Sequence, residues 1–477
     1  MKRTAAALAL VAAACGVALA RPGGGESFSG GGGHGGSSGG GGGGGILELV
    51  YWLIQLVVYY PQIGLPIVLG LVGLIAWSAY RQHHNRDWDS GPPAELHAAV
   101  ELEPLRRVDP DFSQVLFEDF AFRLFSTAQR ARGSADALAT VAPYVSAAAR
   151  AQLAARAGGV SQVVVGALRV VRVELGQRAR IGVELEANVA TAQHTFYSVE
   201  TWLFGRDAAR RSKPPGASRD FPCPNCGAPW QSSATGTQVC ASCGQVVDNG
   251  RFDWVVEQIS VAAEDERPPT LTRDVEERGT DLPTYRQDDV DRRWQSLVTD
   301  DPAISDDAIE ARLRMIYAEL NRAWSLNKLE PVRGYVSDGL YDYLAYWTEA
   351  YRAQGLHNAL VDMRITRVEM AKLVRDRWYD ALTLRLWGTG KDFVVVDATG
   401  KLVRGSKRIE RPYSEYWTLI RSASRKGAVH TEPVCSNCGA PMKITMAGAC
   451  EHCGVHVTAG EFDWVVSKIE QDDTYRG

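Results

Sequence analysis

Two segments of the chain place apolar residues three and four positions apart, the spacing that puts them on one face of an α-helix. Each segment follows an Asp-Pro pair, Asp109-Pro110 in one case and Asp301-Pro302 in the other. The apolar positions are Phe112, Leu116, Phe117, Phe120 and Leu124 in the first segment, and Ile309, Leu313, Ile316, Leu320 and Trp324 in the second. The pattern predicts two amphipathic helices.

Further along, the apolar period changes to two, which is typical of half-buried antiparallel strands. Over Ile181–Val189 apolar residues alternate with Gly182, Glu184, Glu186 and Asn188, and over Leu382–Leu386 leucines alternate with Thr383 and Arg385. Over Met363–Met370 the alternation slips by one residue, which indicates a β-bulge that bends the sheet. Further predicted strands carry Tyr197 and Trp202, and Tyr413 and Trp417.

The same order of elements occurs twice. Val141–Ser146 and Val332–Ser337 both read Val-x-x-Tyr-Val-Ser and lead into a further helix, and both halves close on Phe-Asp-Trp-Val-Val, at Phe252–Val256 and Phe462–Val466. Helices followed by a curved antiparallel sheet predict an α+β fold with the helices on one face. We therefore predict two tandem copies of one domain, with the repeated aromatic residues in their cores.

The predicted domain boundaries follow from this repeat. The first copy covers residues 109–262 and the second covers residues 301–472. Residues 81–108 and 263–300 are rich in charged residues and proline, and we predict that both are polar linkers.

The amino terminus has the three parts of a secretory signal peptide. Residues 1–20 contain Lys2-Arg3, an apolar stretch, and Ala18-Leu19-Ala20 before the expected cleavage point. Lipidation of Cys15 is the alternative. Residues 21–45 are almost entirely glycine and are predicted to be a disordered tether, because they offer no side chains to bury.

A long apolar run, Ile46–Tyr80, follows the tether and is interrupted by Pro61 and Pro66. Ile63–Tyr80 would be about 27 Å long as a helix, close to the thickness of the hydrocarbon core of a membrane. This part is predicted to be a transmembrane helix. Ile46–Tyr60 is shorter and carries two polar residues on one face, so it is predicted to be an interfacial helix, with a second span as the alternative.

The charges beside this run predict its orientation. Arg81 and Arg86 follow it closely, whereas no basic residue lies between Arg21 and the predicted span. Positive charge marks the cytoplasmic side. We therefore predict a single-pass inner-membrane protein with its amino terminus outside and both domains in the cytoplasm, where thiols stay reduced.

Eight of the nine cysteines form four Cys-x-x-Cys pairs, two in each predicted domain. The sets are Cys223, Cys226, Cys240 and Cys243 in the first, and Cys435, Cys438, Cys450 and Cys453 in the second. Four thiolates make a closed tetrahedral set, whereas a catalytic zinc keeps an open position. We predict two structural zinc ions per chain, held in zinc ribbons over residues 221–246 and 433–456, and each ribbon as a rigid projecting hairpin. Disulfides or thiol redox pairs are the alternatives.

Other chemistry is weakly represented. No Ser/His/Asp, paired-carboxylate or phosphate-loop motif is present, so we predict no catalytic residues, no other cofactor-binding residues and no small-molecule substrate. Enzymatic or small-molecule use of the domain's pocket is the alternative. The net charge is −4 and the ribbon segments between their outer cysteines contain one basic residue, Lys443, so we expect no nucleic-acid partner. His452 and His456 beside the second set are predicted to be surface residues.

The Asp109–Phe112 segment with its following helix, the Tyr-Val-Ser helix starts and the strand order together resemble the Tim44-like domain family. The resemblance covers about residues 109–262 and, less closely, 301–472. The leader, glycine-rich tether and membrane segment look like those of bacterial members. The resemblance implies a cone-shaped fold similar to nuclear transport factor two, attachment to the inner membrane, and binding of proteins or lipids without catalysis. The ribbons and the repeat depart from the mitochondrial pattern, so a role in protein import is not carried over.

Overall fold

The computed structural model describes residues 59–84, 100, 102–214, 221–233, 236–266, 280–445, 448–455, 457–458, 460–472, 475 and 477. The predicted signal peptide, the glycine-rich tether, most of the predicted interfacial helix, Cys15 and His456 lie outside these residues. Helix α1, Pro61–His84, contains Pro66 and covers the predicted transmembrane segment. Within the part of the chain that is described, no helix is long and apolar enough to cross a membrane.

The first half of the remaining structure begins with four helices and continues as an antiparallel sheet. The helices are α2 (Glu103–Val108), α3 (Gln114–Ala131), α4 (Ala135–Leu138) and α5 (Ala147–Ala154). The strands are β1 (Val160–Glu174), β2 (Arg178–Thr191), β3 (Thr195–Asp207), β4 (Ser232–Ser233), β5 (Gly236–Cys240) and β6 (Val255–Glu266). The sheet order is β1-β2-β3-β6, and β4 and β5 form a separate hairpin.

The second half follows the same plan. Its helices are α6 (Val290–Asp300), α7 (Asp306–Ser325) and α8 (Asp338–Ala353), with a 3-10 turn over Glu330–Tyr335 between the last two. Its strands are β7 (Leu356–Arg375), β8 (Tyr379–Val396), β9 (Leu402–Gly405), β10 (Arg411–Ser422) and β11 (Val465–Gln471). The sheet order is β11-β10-β8-β7, with β9 paired to β8.

Serine hydroxyls begin the main helices of both halves. Ser113 and Ser305 accept a hydrogen bond from an amide three residues later at the start of α3 and α7. Ser146 and Ser337, the serines of the Tyr-Val-Ser segments, do the same for α5 and α8. Each hydroxyl satisfies an amide that the helix itself leaves without a partner.

The predicted break in alternation over Met363–Met370 is confirmed as a set of irregularities in β7. The register against β8 shifts between Val361 and Arg364, between Ile365 and Arg367, and between Met370 and Lys372. A bulge adds a residue on one strand and increases the local bend and twist. The repeated aromatic residues are also core residues as predicted, since Trp202, Trp417 and Trp464 are fully buried.

The two linker predictions are wrong in part. Residues 290–300, expected to be linker, form α6 and bury Val290, Trp294 and Leu297. Residues 103–108, expected to be linker, form α2, where Leu105 is buried. In both places a few apolar residues recur at helical spacing within a strongly charged stretch. The high content of charged residues led to the prediction of a linker, although the spacing of the apolar residues is that of an amphipathic helix.

The prediction that β2 is half-buried is also wrong. Its polar residues Glu184, Glu186 and Asn188 are as buried as the apolar residues between them. The second half covers this face of the sheet: α8 packs against β1, and Val164, Tyr197 and Val199 belong to the same buried cluster as the second half's core. An alternation of apolar and polar residues predicts that a strand has one apolar and one polar face. It does not predict whether another element packs against the polar face.

Further contacts join the halves through α3 and the residues just before it. Val115 and Leu116 pack against the cluster of Tyr379, Ile420 and Val465. Lys468 of β11 lies 2.7 Å from a carboxylate oxygen of Glu118. The Trp378 indole donates a hydrogen bond of 3.0 Å to the Asp111 carbonyl.

Candidate metal centres

The first cysteine set lies between β3 and β6. Cys223 and Cys226 come from one turn, while Cys240 and Cys243 come from the turn at the end of β5. The Sγ atoms of Cys223 and Cys243 are 3.8 Å apart, and those of Cys226 and Cys240 are 4.0 Å apart. All four Sγ atoms lie within 4.8 Å of one another.

The second set has the same arrangement between β10 and β11. The Sγ atoms of Cys435 and Cys453 are 3.9 Å apart, and those of Cys438 and Cys450 are 4.0 Å apart. In both sets the first and third cysteines are buried, the second is exposed and the fourth is half-buried. The structure therefore brings together, in each half, all four cysteines that the sequence singled out.

These separations suit a metal ion. Four sulfurs placed tetrahedrally at about 2.3 Å from an ion would lie about 3.8 Å from one another. A disulfide would bring two sulfurs to about 2.05 Å, and the eight cysteines of the two sets are free thiols. Each of the two four-cysteine groups could therefore bind one metal ion. Four sulfur ligands would complete the tetrahedral coordination of that ion without water or substrate.

The turns that carry the cysteines depend on glycine. Gly227, Gly244, Gly439 and Gly454 each follow the second cysteine of a pair and have φ between 68° and 72°, a region that other residues rarely adopt. In the first turn the Gly227 amide donates to the Cys223 carbonyl at 2.9 Å, and the Cys223 amide donates to the Ala228 carbonyl at 2.9 Å. Such a turn directs both thiols of a pair to one side.

Hydrogen-bond donors also reach the sulfurs. The Asn225 side-chain amide donates to Cys243 Sγ at 3.4 Å, and the Asn437 amide donates to Cys453 Sγ at the same distance. These asparagines were not predicted as part of the sites. The signal was present, because both halves read Cys-x-Asn-Cys. Donors around a site orient its ligands and stabilise the charge on them.

The thiols of each set differ in acidity. The Asn225 amide and a backbone amide lower the pKa of Cys243 to about 6, whereas burial raises the pKa of Cys223 to about 12. In the second set Asn437 lowers the pKa of Cys453 to about 6, and burial raises the pKa of Cys435 to about 12. A cation bound among the sulfurs would favour the thiolate of the buried cysteine as well.

We predicted each ribbon as a rigid projecting hairpin, and in the structure each cysteine segment also contacts the residues that connect the helices of its half. The Trp230 indole donates to the Ala139 carbonyl at 2.8 Å, and the Tyr144 hydroxyl donates to the Pro222 carbonyl at 2.8 Å. In the second half Met442 packs so closely on Gly334 that a side chain there would meet its sulfur. These contacts fix one side of each segment and leave the side with the exposed cysteine in solvent.

The sequence also missed the role of the Asp-Pro pairs. Asp109 and Asp301 are buried and pair with buried arginines: Asp109 with Arg206 at 2.7 Å, and Asp301 with Arg421 at 3.1 Å. The two arginines stack on Trp254 and Trp464, the tryptophans of the two Phe-Asp-Trp-Val-Val segments. The partners lie about a hundred residues apart in the sequence, so spacing gave no sign of them.

A shallow, open cavity of about 260 Å³ lies on the first sheet, away from both cysteine sets. Its lining contains Gly182, Thr201, Leu203 and Gln258, and its one ionisable side chain is Arg172. This lining lacks the paired titratable groups that acid–base or nucleophilic chemistry needs.

Comparison with known proteins gives one positive result. No curated protein matches the chain. One family model does match part of the chain, over a region that begins in α6 and ends after β10. The matched region contains the helices and most of the sheet of the second half but not its cysteine set. This is the half that we expected to carry the weaker resemblance. Residues 293–430 are similar to the family model of the Tim44-like domain.

Proposed function

We propose that this protein is a membrane-tethered protein-binding or scaffold protein, without catalytic activity, whose two four-cysteine groups hold structural zinc. The observation that carries the proposal is the closed set of four thiols in each half, with sulfur separations of 3.8–4.0 Å. Zinc is the metal that four thiolates in tetrahedral geometry favour. With four protein ligands a zinc ion has no position left for a substrate, so it stabilises structure.

The filled interiors support a role in binding rather than catalysis. In the second half the space between helices and sheet is occupied by large side chains, among them Trp324, Trp347 and Trp417, which are fully buried. Such packing leaves no room there for a small-molecule substrate. The open cavity of the first half lacks the side chains for chemistry.

We also propose that the first half is a second copy of the Tim44-like domain, with a zinc ribbon inserted before the last strand in each copy. The Asp109–Arg206 and Asp301–Arg421 pairs support this, as do their contacts with Trp254 and Trp464. A further correspondence is a buried glutamate that accepts a hydrogen bond from a tryptophan two residues later. The pairs are Glu200 with Trp202 and Glu415 with Trp417.

Membrane attachment is supported by the exposed apolar side chains of α1. Ile63, Leu69, Leu74 and Trp77 are each more than half exposed. Exposed apolar residues at this density suit lipid rather than water. Because Arg81 follows the apolar part of α1 and positive charge marks the cytoplasmic side, we propose a bacterial inner-membrane protein with both domains in the cytoplasm. Other proteins would dock there on the solvent-facing side of the ribbons.

Site-specific photocrosslinking in intact cells tests the docking role. A photoreactive residue is placed at Ser242 in the first ribbon, or at Glu451 in the second, both of which are exposed at the turn that carries the later cysteine pair. The matched control position is Ser161, an exposed residue of β1. We expect a discrete crosslinked protein from at least one ribbon position and none from Ser161. Equal labelling at all three positions, or no discrete product from either ribbon, contradicts the docking role.

A further inference from the structure

The cavity on the first sheet has a counterpart on the second sheet. The two sheets have the same strand order, and their registers show which residues correspond. Val183 pairs with Trp202 across β2 and β3, just as Leu384 pairs with Trp417 across β8 and β10. Counted from these pairs, the lining residues Val171, Arg172, Gly182, Thr201, Leu203, Gln258 and Ser260 correspond in turn to Ala371, Lys372, Thr383, Tyr416, Thr418, Lys468 and Glu470. We call the second group the counterpart site.

The counterpart site is filled by a tyrosine from the carboxyl-terminal tail of the chain. The Tyr475 ring is buried against Ala371 and Tyr416. It stacks on the Tyr416 ring, with ring centroids 3.9 Å apart and an angle of 12° between the planes. The Tyr285 ring packs against it in an edge arrangement, with a centroid separation of 5.9 Å. This place in the fold therefore accepts an aromatic ring.

Smaller side chains open the cavity on the first sheet. Gly182 stands where the second sheet has Thr383, and Thr201 stands where it has Tyr416. The first sheet therefore lacks the ring on which Tyr475 stacks in the counterpart site. Its place is part of the open cavity.

The last strands of the two sheets also differ. Strand β11 ends at Gln471, and the chain turns there, since the Tyr475 amide donates to the Gln471 carbonyl at 2.9 Å. The residue that corresponds to Gln471 is Val261, and β6 continues beyond it to Glu266. Among the described residues, the first half therefore has no equivalent of Tyr475 to place in its cavity.

The size and lining of the cavity suit a single aromatic side chain. It measures about 260 Å³, below the roughly 300–1,000 Å³ of typical small-molecule pockets. Val171 and Leu203 supply aliphatic surface, while Thr201, Gln258 and Ser260 supply hydrogen-bonding groups. Tyrosine matches both, because its ring is apolar and its hydroxyl forms hydrogen bonds. An acyl chain would cover the same polar groups without satisfying them.

From this correspondence we propose that the cavity on the first sheet binds a tyrosine side chain of another protein, presented on a short segment such as a chain terminus. The strongest contacts of protein interfaces are commonly aromatic residues that fill a pocket. The lining contains no residue of either cysteine segment. The cavity is therefore a docking surface in addition to the ribbons, and it requires neither zinc nor membrane attachment.

Binding of a fluorescent peptide to the full chain in mild detergent tests the proposal. The probe is residues 472–477, Asp-Asp-Thr-Tyr-Arg-Gly, the part of the tail beyond β11 that carries the tyrosine. Fluorescence anisotropy should show one bound peptide per chain. Replacing the tyrosine of the probe by alanine should weaken binding at least about tenfold, because the ring is the anchor. Absence of binding, or equal binding of the two peptides, overturns the proposal.

Variants that fill the cavity locate the bound peptide. Ser260→Trp and Gln258→Trp each place a large ring at an exposed position of the lining, and each should weaken binding at least about tenfold. The matched control is Ser161→Trp, the same change at an exposed position of β1 outside the cavity, which should bind the peptide within about twofold of the unaltered chain. Hydrogen exchange checks that each variant is folded. Unchanged affinity in both filled variants overturns the proposal.

The Tyr475→Ala variant of the full chain separates the two sites. It empties the counterpart site, so the number of bound peptides per chain should rise from one to two. Binding that occurs only in this variant overturns the proposal, because the peptide would then occupy the counterpart site alone.

The alternative occupant of the cavity is the tail of a second copy of the chain. Analytical ultracentrifugation of the full chain distinguishes the two occupants. A chain that stays monomeric supports an outside partner. A dimer that both Ser260→Trp and Tyr475→Ala abolish overturns the proposal, because the cavity would then hold the tail of the second copy.

Discussion

Removing two cysteines from the first ribbon tests whether its metal is structural. In the double variant Cys226→Ser with Cys240→Ser the first set keeps two of its four thiols. We expect the segment around residues 221–246 to lose its fold while the helices and sheet of the first half persist. The reason is that the ribbon has almost no core of its own: the buried hydrophobic cluster at the ribbon consists of Cys223, Cys240 and the adjoining Val247.

The sizes of the competing terms favour local unfolding. Structural zinc binding in small domains contributes about 10–16 kcal/mol, far more than three buried side chains supply. Outside the ribbon, the variant loses the hydrogen bonds from Trp230 to Ala139 and from Tyr144 to Pro222. At about 1 kcal/mol each, these cost the rest of the half roughly 2 kcal/mol, which a domain stable by about 5–15 kcal/mol tolerates.

The measurements are metal content and hydrogen exchange on the full chain under reducing conditions. The unaltered protein should contain two zinc ions and the double variant one. Fast exchange should appear within residues 221–246 and weaken toward residues 139–146, where the ribbon is attached. The matched control is Ser242→Ala, which alters a serine between two ligands and should leave both readouts unchanged.

Three outcomes would refute the reasoning. Unchanged protection over residues 221–246 would mean that the ribbon folds without metal. Loss of protection throughout the first half would mean that its core depends on the ribbon, contrary to the separate buried cluster of helices and strands. Less than one zinc ion in the unaltered protein would show that the four-cysteine groups serve another purpose.

Three further predictions concern single side chains. Asn225→Ala removes the amide donor at the first set and should weaken zinc binding there about 10–100-fold in chelator competition, with the second set as the internal reference. Asp301→Asn removes the nearer of the two buried carboxylates that pair with Arg421, leaving Asp380 at 4.0 Å, and should cost up to about 3–5 kcal/mol in chemical denaturation. Asp307→Asn, at an exposed position, should change stability by less than about 0.5 kcal/mol. Burial raises the pKa of Asp376, so the folded protein holds this proton more tightly than the unfolded chain. Asp376→Asn should therefore gain stability over the wild type as the pH rises above the ordinary pKa of aspartate, and none below it. A constant difference across pH would contradict that assignment.

The sequence by itself determined most of the local structure. The apolar spacing around Phe117 and Ile316 predicted two helices, and the alternation around Leu185 predicted a strand. These patterns depend on residues close in the chain, and the helices and the strand lie where they were expected. The cysteine sets were also readable, because both pairs of a set lie within one short segment. In the charged stretch before Asp301 the sequence pattern did not predict α6, because the helix has only three buried apolar residues among many charged ones.

Only the tertiary structure decided which polar residues are buried. Glu184 and Glu186 lose solvent because the second half covers β2, and nothing near them in the sequence indicates that partner. The pairing of Asp109 with Arg206, like that of Asp301 with Arg421, joins residues about a hundred positions apart. Local patterns fix the period and faces of an element, whereas burial of charge depends on what packs against that face, and this is set by contacts distant in sequence.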